Sequence, residues 1–195
     1  MGLREAKKEK TRTRLLEAAL HLVSENGFEA TTISDIASAV EISPRTVLRY
    51  FPTKEDILVS WVGDRMASIT TELERNLRST APAAALLMAG RSMLAAYDQN
   101  PALFLKAERL LLTSPSLAAS KEQMIVNLGR DVAMQLTSIG EPKLSPLIAE
   151  ALAGVVFAIM RATIVNWVEN LGQGVIVEQY DSATSVISLL KNDTD

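Results

Sequence analysis

Signals for the start and end of helices crowd into a short stretch near the N-terminus and constrain the fold more than any other feature. The Asn-Gly pair at 26–27 can take the left-handed conformation that closes a helix. Thr32 is a typical N-cap residue, and Asp35 stands at the capping-box position three residues later. Ser43 followed by Pro44 is the pattern of another N-cap and first helical residue. The stretch therefore predicts short helices separated by tight turns.

Hydrophobic spacing places a helix before and after the first of these signals. Apolar residues recur at helical i, i+3, i+4 and i+7 positions in two segments, Leu15, Ala18, Ala19, Leu22 and Val23, then Ile33, Ile36, Ala37 and Val40. Pro52 ends the helix that begins after Ser43, and Thr53 caps the next one. Two short helices joined by a tight turn form a helix-turn-helix. We therefore predict a helix-turn-helix over 32–51.

The second helix of this pair has one apolar and one polar side. Val47, flanked by Ile42 and Phe51, is predicted to face the core. An arginine in the major groove of DNA can donate two hydrogen bonds to guanine, worth about 1–3 kcal/mol of base discrimination. Threonine suits a thymine methyl group or a phosphate, and tyrosine and lysine suit phosphates. The outward residues predicted to meet DNA are Arg45, Thr46, Arg49 and Tyr50, followed by Lys54.

Charge is unevenly distributed along this chain of net charge −3. Residues 1–54 hold nine Lys or Arg against seven Asp or Glu, and residues 55–195 hold eleven against sixteen. Residues 1–14 alone carry six basic and two acidic side chains. A basic start to an acidic chain favours a polyanion as partner of the N-terminus, although a solvated helix start accounts for the same charges.

Residues 9–69 resemble the DNA-binding domain of tetracycline-repressor-like (TetR-family) regulators. The similarity lies in the segments "ENGFEATTISDIA", "SPRTVLRYF" and "PTKEDIL". The resemblance implies that Thr32 contacts a phosphate at the start of the second helix and that Lys54 binds a phosphate from the fourth. It also implies that five residues lie in or beside the major groove, namely Pro44, Arg45, Thr46, Arg49 and Tyr50.

The sequence departs from the family pattern at two positions. Glu41 replaces the common glycine of the turn, where a left-handed backbone costs a residue with a side chain more than it costs glycine. Leu48 replaces the common aromatic residue of the recognition helix, which removes one expected phosphate contact. We expect Arg49 to take over part of that role.

The rest of the chain is predicted to be helical throughout. Proline, glycine and serine punctuation divides it into helices at 54–79, 83–99, 102–112, 116–138, 145–170 and 178–191. The sequence therefore predicts an all-α fold with two domains. An N-terminal three-helix DNA-binding head, 1–54, precedes a helical ligand-binding and dimerisation domain, 55–195.

The helix at 145–170 is apolar on nearly every side, so it must be covered on more than one side. A partner subunit can supply the second cover, and the family resemblance implies that the last two helices pair with their mates in a four-helix interface. We predict a homodimer with the interface residues Leu152, Val155, Val156, Ile159, Val186 and Leu190.

A pocket for a small, largely apolar effector is expected in the second domain. Methionine and aromatic side chains suit such a pocket, and a few polar residues could orient the ligand. Each of them could equally belong to an ordinary core, an ion pair or the solvated surface. The candidates are Met88, Met93, Tyr97, Phe104, Arg109, Met134, Asn166 and Trp167.

No pattern typical of an enzyme, cofactor site or metal site is present in the sequence. It has no cysteine, one histidine, His21, and neither a nucleophile motif nor a phosphate-binding glycine loop. No apolar stretch follows the charged first fourteen residues, and the longest apolar run, 151–160, is shorter than the roughly 20 residues of a membrane span. We expect a cytoplasmic protein without enzymatic activity.

These features predict a ligand-responsive transcriptional regulator that binds a palindromic operator in double-stranded DNA. The family resemblance favours a repressor released from DNA by its effector. A transcriptional activator of the same fold is one alternative. A helical binding protein that uses its helix-turn-helix to contact another protein is the other.

Overall fold

The computed structural model describes residues 3–186, apart from the side chains of residues 3–6 and 9. All regular elements in this part of the chain are α-helices, which confirms the predicted fold class. In chain order they are α1 (Leu3–Asn26), α2 (Ile33–Ala39), α3 (Pro44–Tyr50), α4 (Lys54–Asn76), α5 (Pro82–Gln99), α6 (Pro101–Thr113), α7 (Pro115–Ser138), α8 (Pro146–Glu169) and α9 (Ile176–Thr184).

Most predicted helix boundaries agree with the structure to within one residue, and three differ by more, among them the end of α9, which lies at Thr184. α4 ends at Asn76 instead of 79, because the next turn tightens into the i→i+3 bond from the Ser79 N–H to the Asn76 carbonyl. α9 begins at Ile176 instead of 178, because the Asp98 carboxylate of α5 accepts a hydrogen bond from the Ile176 N–H at 3.0 Å. The predicted end at 191 lies outside the described residues.

Contacts divide the chain into two compact units. The first comprises the chain up to Gly63 together with Lys106–Lys121. The second comprises Asp64–Leu105 and the chain from Glu122 onward. The predicted domains, 1–54 and 55–195, stay a prediction.

The first unit buries one apolar side chain or more from each of its helices. Leu15 of α1, Ile36 of α2, Val47 of α3 and Ile57 of α4 are fully buried. Burial of such a side chain stabilises a fold by roughly 1.5–3 kcal/mol. The two short helices α2 and α3 are therefore anchored to the same core as the longer ones.

The second unit packs α5, α8 and α9 against one another. The Tyr180 hydroxyl of α9 donates to the Leu87 carbonyl of α5 at 3.1 Å, and a Cβ atom at Gly90 would lie only 2.8 Å from that hydroxyl. Burial, and to a lesser extent the charge of Asp181, raises the pKa of Tyr180. On the surface, the Arg91 guanidinium donates to both carboxylate oxygens of Asp181. Close helix packing thus depends on the missing side chain at Gly90.

α8 is the most apolar helix that the structure describes. It is long and apolar enough to cross a membrane, but the core helices of soluble proteins can have the same length and composition. Its longest uninterrupted apolar run, 151–160, is shorter than the helix because Arg161 follows it. One side of α8 is packed inside the unit, at Ala149, Ala153, Val156, Ile159, Met160, Thr163, Ile164, Trp167 and Val168.

Candidate nucleic-acid interface

Reciprocal hydrogen bonds fix the start of α2. The Thr32 hydroxyl accepts from the Asp35 backbone N–H at 3.2 Å, and the Asp35 carboxylate accepts from the Thr32 N–H at 2.9 Å. The Thr32 hydroxyl also donates to that carboxylate at 2.6 Å. The side-chain bond first, and the backbone bond second, lower the pKa of Asp35 from its ordinary value. The predicted capping box is confirmed.

The turn between α2 and α3 keeps a left-handed residue although it has no glycine. Glu41 has a φ of +59°. Its N–H donates to the Ser38 carbonyl, and the Ile42 N–H donates to the Ala37 carbonyl. This pair of bonds is a Schellman motif with Glu41 as the first residue after the cap. The substitution therefore keeps a tight turn at a backbone cost of about 1–2 kcal/mol.

A serine cap and a proline set the start of α3. Ser43 Oγ accepts from the Thr46 backbone N–H at 3.2 Å, and Pro44 occupies the first helical turn. The hydroxyl groups of Ser43 and Thr46 also lie 2.8 Å apart. The predicted N-cap is confirmed, and the Thr46 hydroxyl is already engaged by it.

α3 turns its two arginines outward. Val47 is fully buried, whereas Arg45 and Arg49 are exposed. Arg45 makes no hydrogen bond or ion pair with any described residue, and the Arg49 guanidinium lies 5.8 Å from the centre of the half-buried Tyr50 ring. Because they are four residues apart on one helix, the two arginines are neighbours on its surface. They form a cationic pair on the exposed side of a helix that its N-cap and its buried valine hold in place.

Lys54 has internal partners that sequence reasoning missed. Its ammonium donates to the carbonyls of Phe28 at 2.7 Å and Thr31 at 3.1 Å, and it lies 4.2 Å from the centre of the Phe28 ring. The ammonium therefore fastens the loop before α2 to the start of α4. The predicted phosphate contact stays a prediction, and it would use the one N–H that these two bonds leave.

The basic N-terminal segment is helical, since it forms the first turns of α1. Lys7, Lys8 and Lys10 are exposed there. Two arginines of the same segment contact other helices of the first unit, which the sequence did not predict. The Arg14 guanidinium donates to the Val40 carbonyl at the end of α2, and that of Arg12 lies 4.7 Å from the centre of the Phe51 ring. Their partners are 26 and 39 residues away in sequence, so no local signal could identify them.

Three of the predicted pocket residues come together in the second unit. The rings of Tyr97 and Phe104 stack with centres 4.6 Å apart, and Trp167 meets Tyr97 edge-on at 5.7 Å. All three are buried. The indole N–H of Trp167 has no hydrogen-bond partner among the described residues. A buried donor without an acceptor is rare in proteins, so it distinguishes this cluster from an ordinary apolar core.

The other pocket candidates are mostly exposed. Met93 is buried, but Met88 and Met134 are exposed, so they line no interior pocket within their unit. Arg109 is exposed and belongs to the first unit. Asn166 is exposed, donates to Gln179, and lines an open cleft of about 450 Å³ beside α9.

Two predicted interface residues face the interior of their own unit. Val156 is fully buried and Ile159 is 8 % exposed, because α8 turns these positions towards the unit core. Leu152 is half-buried, whereas Val155 and Val186 are exposed. Leu190 lies outside the described residues. The prediction that Val156 and Ile159 contact a partner subunit is therefore wrong, because both pack inside their own unit. A helix that is apolar all round gives no sequence signal for which side it buries.

Little in the described residues resembles a catalytic or metal centre. His21 is exposed and lies 3.5 Å from Glu25 on the surface of α1. No group of three or more His, Asp or Glu side chains that could hold a metal ion occurs among the residues described.

An anchored α2, a tight turn and an outward arginine pair on α3 define the class of helix-turn-helix proteins. Residues 15–60 match the family model of the bacterial regulatory proteins of the tetR family. Residues 15–60 are therefore a DNA-binding segment of the TetR family.

Two relatives are similar to this chain over more than these residues. The transcriptional regulator TcmR of Streptomyces glaucescens is 32% identical over 142 residues, which are 68% of this chain and 63% of TcmR. The transcriptional repressor KstR of Mycobacterium tuberculosis is 27% identical over 139 residues, 71% of this chain and 63% of KstR. The chain thus spans less than two thirds of the length of these two curated relatives.

A solved structure shows the same fold over most of the chain. The TetR-family repressor FadR of Thermus thermophilus, determined in complex with lauroyl-CoA, has a TM-score of 0.62. The match covers 90% of this chain and 92% of FadR at 22% identity.

Proposed function

We propose that this protein is a DNA-binding transcriptional repressor that a small, largely apolar effector releases from its operator. The observation that carries the proposal is the outward pair Arg45 and Arg49 on a helix whose start, turn and core side are all fixed. Arginine is the side chain that most often reads guanine in the major groove. A protein of this kind acts in the cytoplasm and performs no catalysis.

Phosphate contacts would come from the surroundings of α3. The exposed Lys7, Lys8 and Lys10 offer three cations on one segment of α1, and Tyr50 offers a hydroxyl group. Thr32 could donate to a phosphate only by giving up the bond that its hydroxyl donates to Asp35. Contacts with phosphates fix the position of a protein on DNA without reading its sequence. Replacing the three lysines together by alanine should weaken binding to every DNA sequence alike and flatten its salt dependence.

The direct test is a gel-shift assay with DNA that flanks the coding region of this protein. A shift that unlabelled flanking DNA removes, and random DNA at the same concentration does not, supports the proposal. Equal competition by both would leave only non-specific binding and contradict it. Retention of a protein partner without any DNA shift would favour the alternative in which the helix-turn-helix contacts protein.

A second copy of the chain is the proposed cover for the outer side of α8. Leu147, Ile148 and Val155 are 75, 53 and 46 % exposed, and small exposed residues such as Ala151 and Ala158 follow the same side. A homodimer would bring two copies of α3 to half-sites roughly 34–36 Å apart on a palindromic operator.

Neighbouring valines of α8, one exposed and one buried, allow a matched test of this dimer. Val155→Asp should give folded monomers that lose operator binding, as light scattering and gel shift can measure. Val156→Asp is the matched control, and it should unfold the protein because it places a charge in the core. A dimeric Val155→Asp variant would contradict the assignment of this surface.

The aromatic cluster around Trp167 is our candidate for the effector site. Its unpaired indole N–H could donate to a carbonyl oxygen of a ligand whose apolar part packs on Tyr97 and Phe104. The lauroyl-CoA bound by the FadR relative combines an acyl chain with such a carbonyl, so it is a suitable first probe.

Tryptophan fluorescence can test this site, because Trp61 and Trp167 are the two tryptophans of the chain. In a Trp61→Phe variant, lauroyl-CoA should change the Trp167 emission and release the protein from DNA. Trp167→Phe replaces the indole by a smaller aromatic ring without the N–H, and it should weaken that release about tenfold. Release without any effect of Trp167→Phe would place the effector elsewhere.

A further inference from the structure

α3 exposes an apolar side chain beside its arginine pair. Leu48 is 49 % exposed, although its chain neighbour Val47 is fully buried. No described residue covers that half of the leucine surface. Single exposed leucines are common on proteins, so exposure alone assigns no role to Leu48.

The position of Leu48 on the helix is more informative than its exposure. At 100° per residue, Arg45 and Arg49 lie opposite the buried Val47, and Leu48 lies next to them on one flank. Pro44, one turn earlier on the same flank, is also exposed. The outward surface of α3 is therefore a cationic row with an apolar border.

The opposite flank is polar and already engaged. The Thr46 hydroxyl lies 2.8 Å from that of Ser43, and Tyr50 packs near the Arg49 guanidinium. Thr46 is half-buried. Among the described residues of α3, Leu48 therefore presents the largest apolar side chain that nothing covers.

We infer that Leu48 reads a thymine methyl group next to the base contacted by Arg45. In the major groove the C5-methyl of thymine is the apolar group that distinguishes one base pair from another. Arg45 and Leu48 are three residues apart, about 4.5 Å along the helix axis, while base pairs follow every 3.4 Å. The thymine would lie within one or two base pairs of the guanine in each half-site.

This inference rests on the proposed function and makes Leu48 a residue that determines DNA specificity. It also gives the leucine a role different from that of the aromatic residue common in the family. An aromatic hydroxyl at this position would contact the backbone, whereas an aliphatic side chain gains only from an apolar neighbour.

Replacing thymine by deoxyuridine tests the inference, because this exchange removes only the methyl group. Each thymine of the operator found by gel shift is replaced in turn, symmetrically in both half-sites. One position should weaken wild-type binding about fourfold per half-site, the fold-change expected for one buried methyl group. Leu48→Ala should bind the natural operator more weakly and should not respond to deoxyuridine at that position.

Leu112→Ala is the matched control, since Leu112 is 54 % exposed and lies on α6. It should bind DNA like the wild type and keep the response to deoxyuridine. Wild-type binding that is insensitive to deoxyuridine at every thymine would overturn the inference and leave the proposed function standing. A response that Leu48→Ala retains would also overturn it. Absence of any sequence-specific binding by the wild type would overturn the proposed function and this inference together.

Discussion

The two short helices α2 and α3 of the first unit and the packed helices of the second unit are held in different ways. α2 and α3 have seven residues each, too few for stable isolated helices. The residue just before each helix caps it by accepting a hydrogen bond from the backbone N–H three positions later. In the second unit, α5 and α9 are joined by hydrogen bonds between residues 78 to 93 positions apart.

This difference separates local from long-range control of structure. Caps and turns decide where α2 and α3 begin and end, so the arginine pair has a defined direction before any ligand or partner is present. In the second unit, the positions of α8 and α9 depend on how side chains from distant segments fit together. Substitutions should therefore act through fit in the second unit and through helix ends in the first.

Among substitutions that test packing against helix ends, Gly90→Ala should have the largest effect on stability. The new methyl group would meet the Tyr180 hydroxyl at 2.8 Å and the Met160 sulfur at 3.0 Å, inside tightly packed helices. We expect a loss of about 1–3 kcal/mol in the free energy of unfolding, measured by chemical denaturation.

The matched control for this prediction is Gly129→Ala in α7. The nearest atom to its new Cβ would be Phe157 Cε2 at an ordinary 3.8 Å, so the better helix propensity of alanine should stabilise the protein by up to about 1 kcal/mol. Equal effects of the two substitutions would show that the fit around Gly90 is not tight.

Thr32→Ala should have an intermediate effect, confined to the first unit. It removes the capping box of α2 and should reduce the free energy of unfolding by about 1 kcal/mol. Hydrogen exchange should become faster in α2 and stay unchanged in α8. Ser34→Ala, an exposed change inside the same helix, is the control and should be nearly neutral. Faster exchange in both units would contradict local control.

Glu41→Gly should stabilise the protein slightly. Glycine removes the left-handed strain at φ +59° but makes the unfolded chain more flexible, so we expect a net gain of about 0.5 kcal/mol. Leu171, with φ +56°, carries the same strain after α8, and Leu171→Gly should give a similar gain. A destabilised Glu41→Gly protein, measured by thermal unfolding, would mean that the glutamate side chain contributes more than its backbone costs.

The smallest expected effect is the pH dependence of the α2 cap. The folded-state pKa of Asp35 is lowered from 3.8 by its bonds with Thr32, so the ionised carboxylate stabilises the fold above pH 3.8. This stabilisation should disappear as the pH falls below that value. The difference in melting temperature between the wild type and Asp35→Asn should therefore shrink on acidification. A constant difference down to pH 2 would exclude Asp35 as its source.

The difference between local caps and long-range contacts also explains which helix boundaries the sequence could predict. The starts of α2, α3 and α4 were predictable because Thr32, Ser43 and Thr53 cap them from within the local sequence. The start of α9 was not, because its cap, Asp98, lies 78 residues earlier.

Two further misses have a similar cause. The outward side of α8 could not be assigned, because a helix that is apolar all round has no polar side to set its direction. The internal contacts of Lys54 could not be predicted either, because its carbonyl partners lie 23 and 26 residues earlier in the chain. Local chemistry therefore predicted the helix-turn-helix, and only the folded chain could assign the inner contacts.

The central claim is that the outward arginines of α3 read DNA. The most direct measurement is the sequence preference and affinity of Arg45→Ala, determined beside its thermal unfolding. We predict a loss of about 1–3 kcal/mol on the cognate operator, relaxed preference at one position in each half-site, and an unchanged melting curve. Arg130→Ala, at an exposed arginine of α7, should keep wild-type binding. An Arg45→Ala protein that binds as tightly as the wild type with an unchanged preference would contradict the claim.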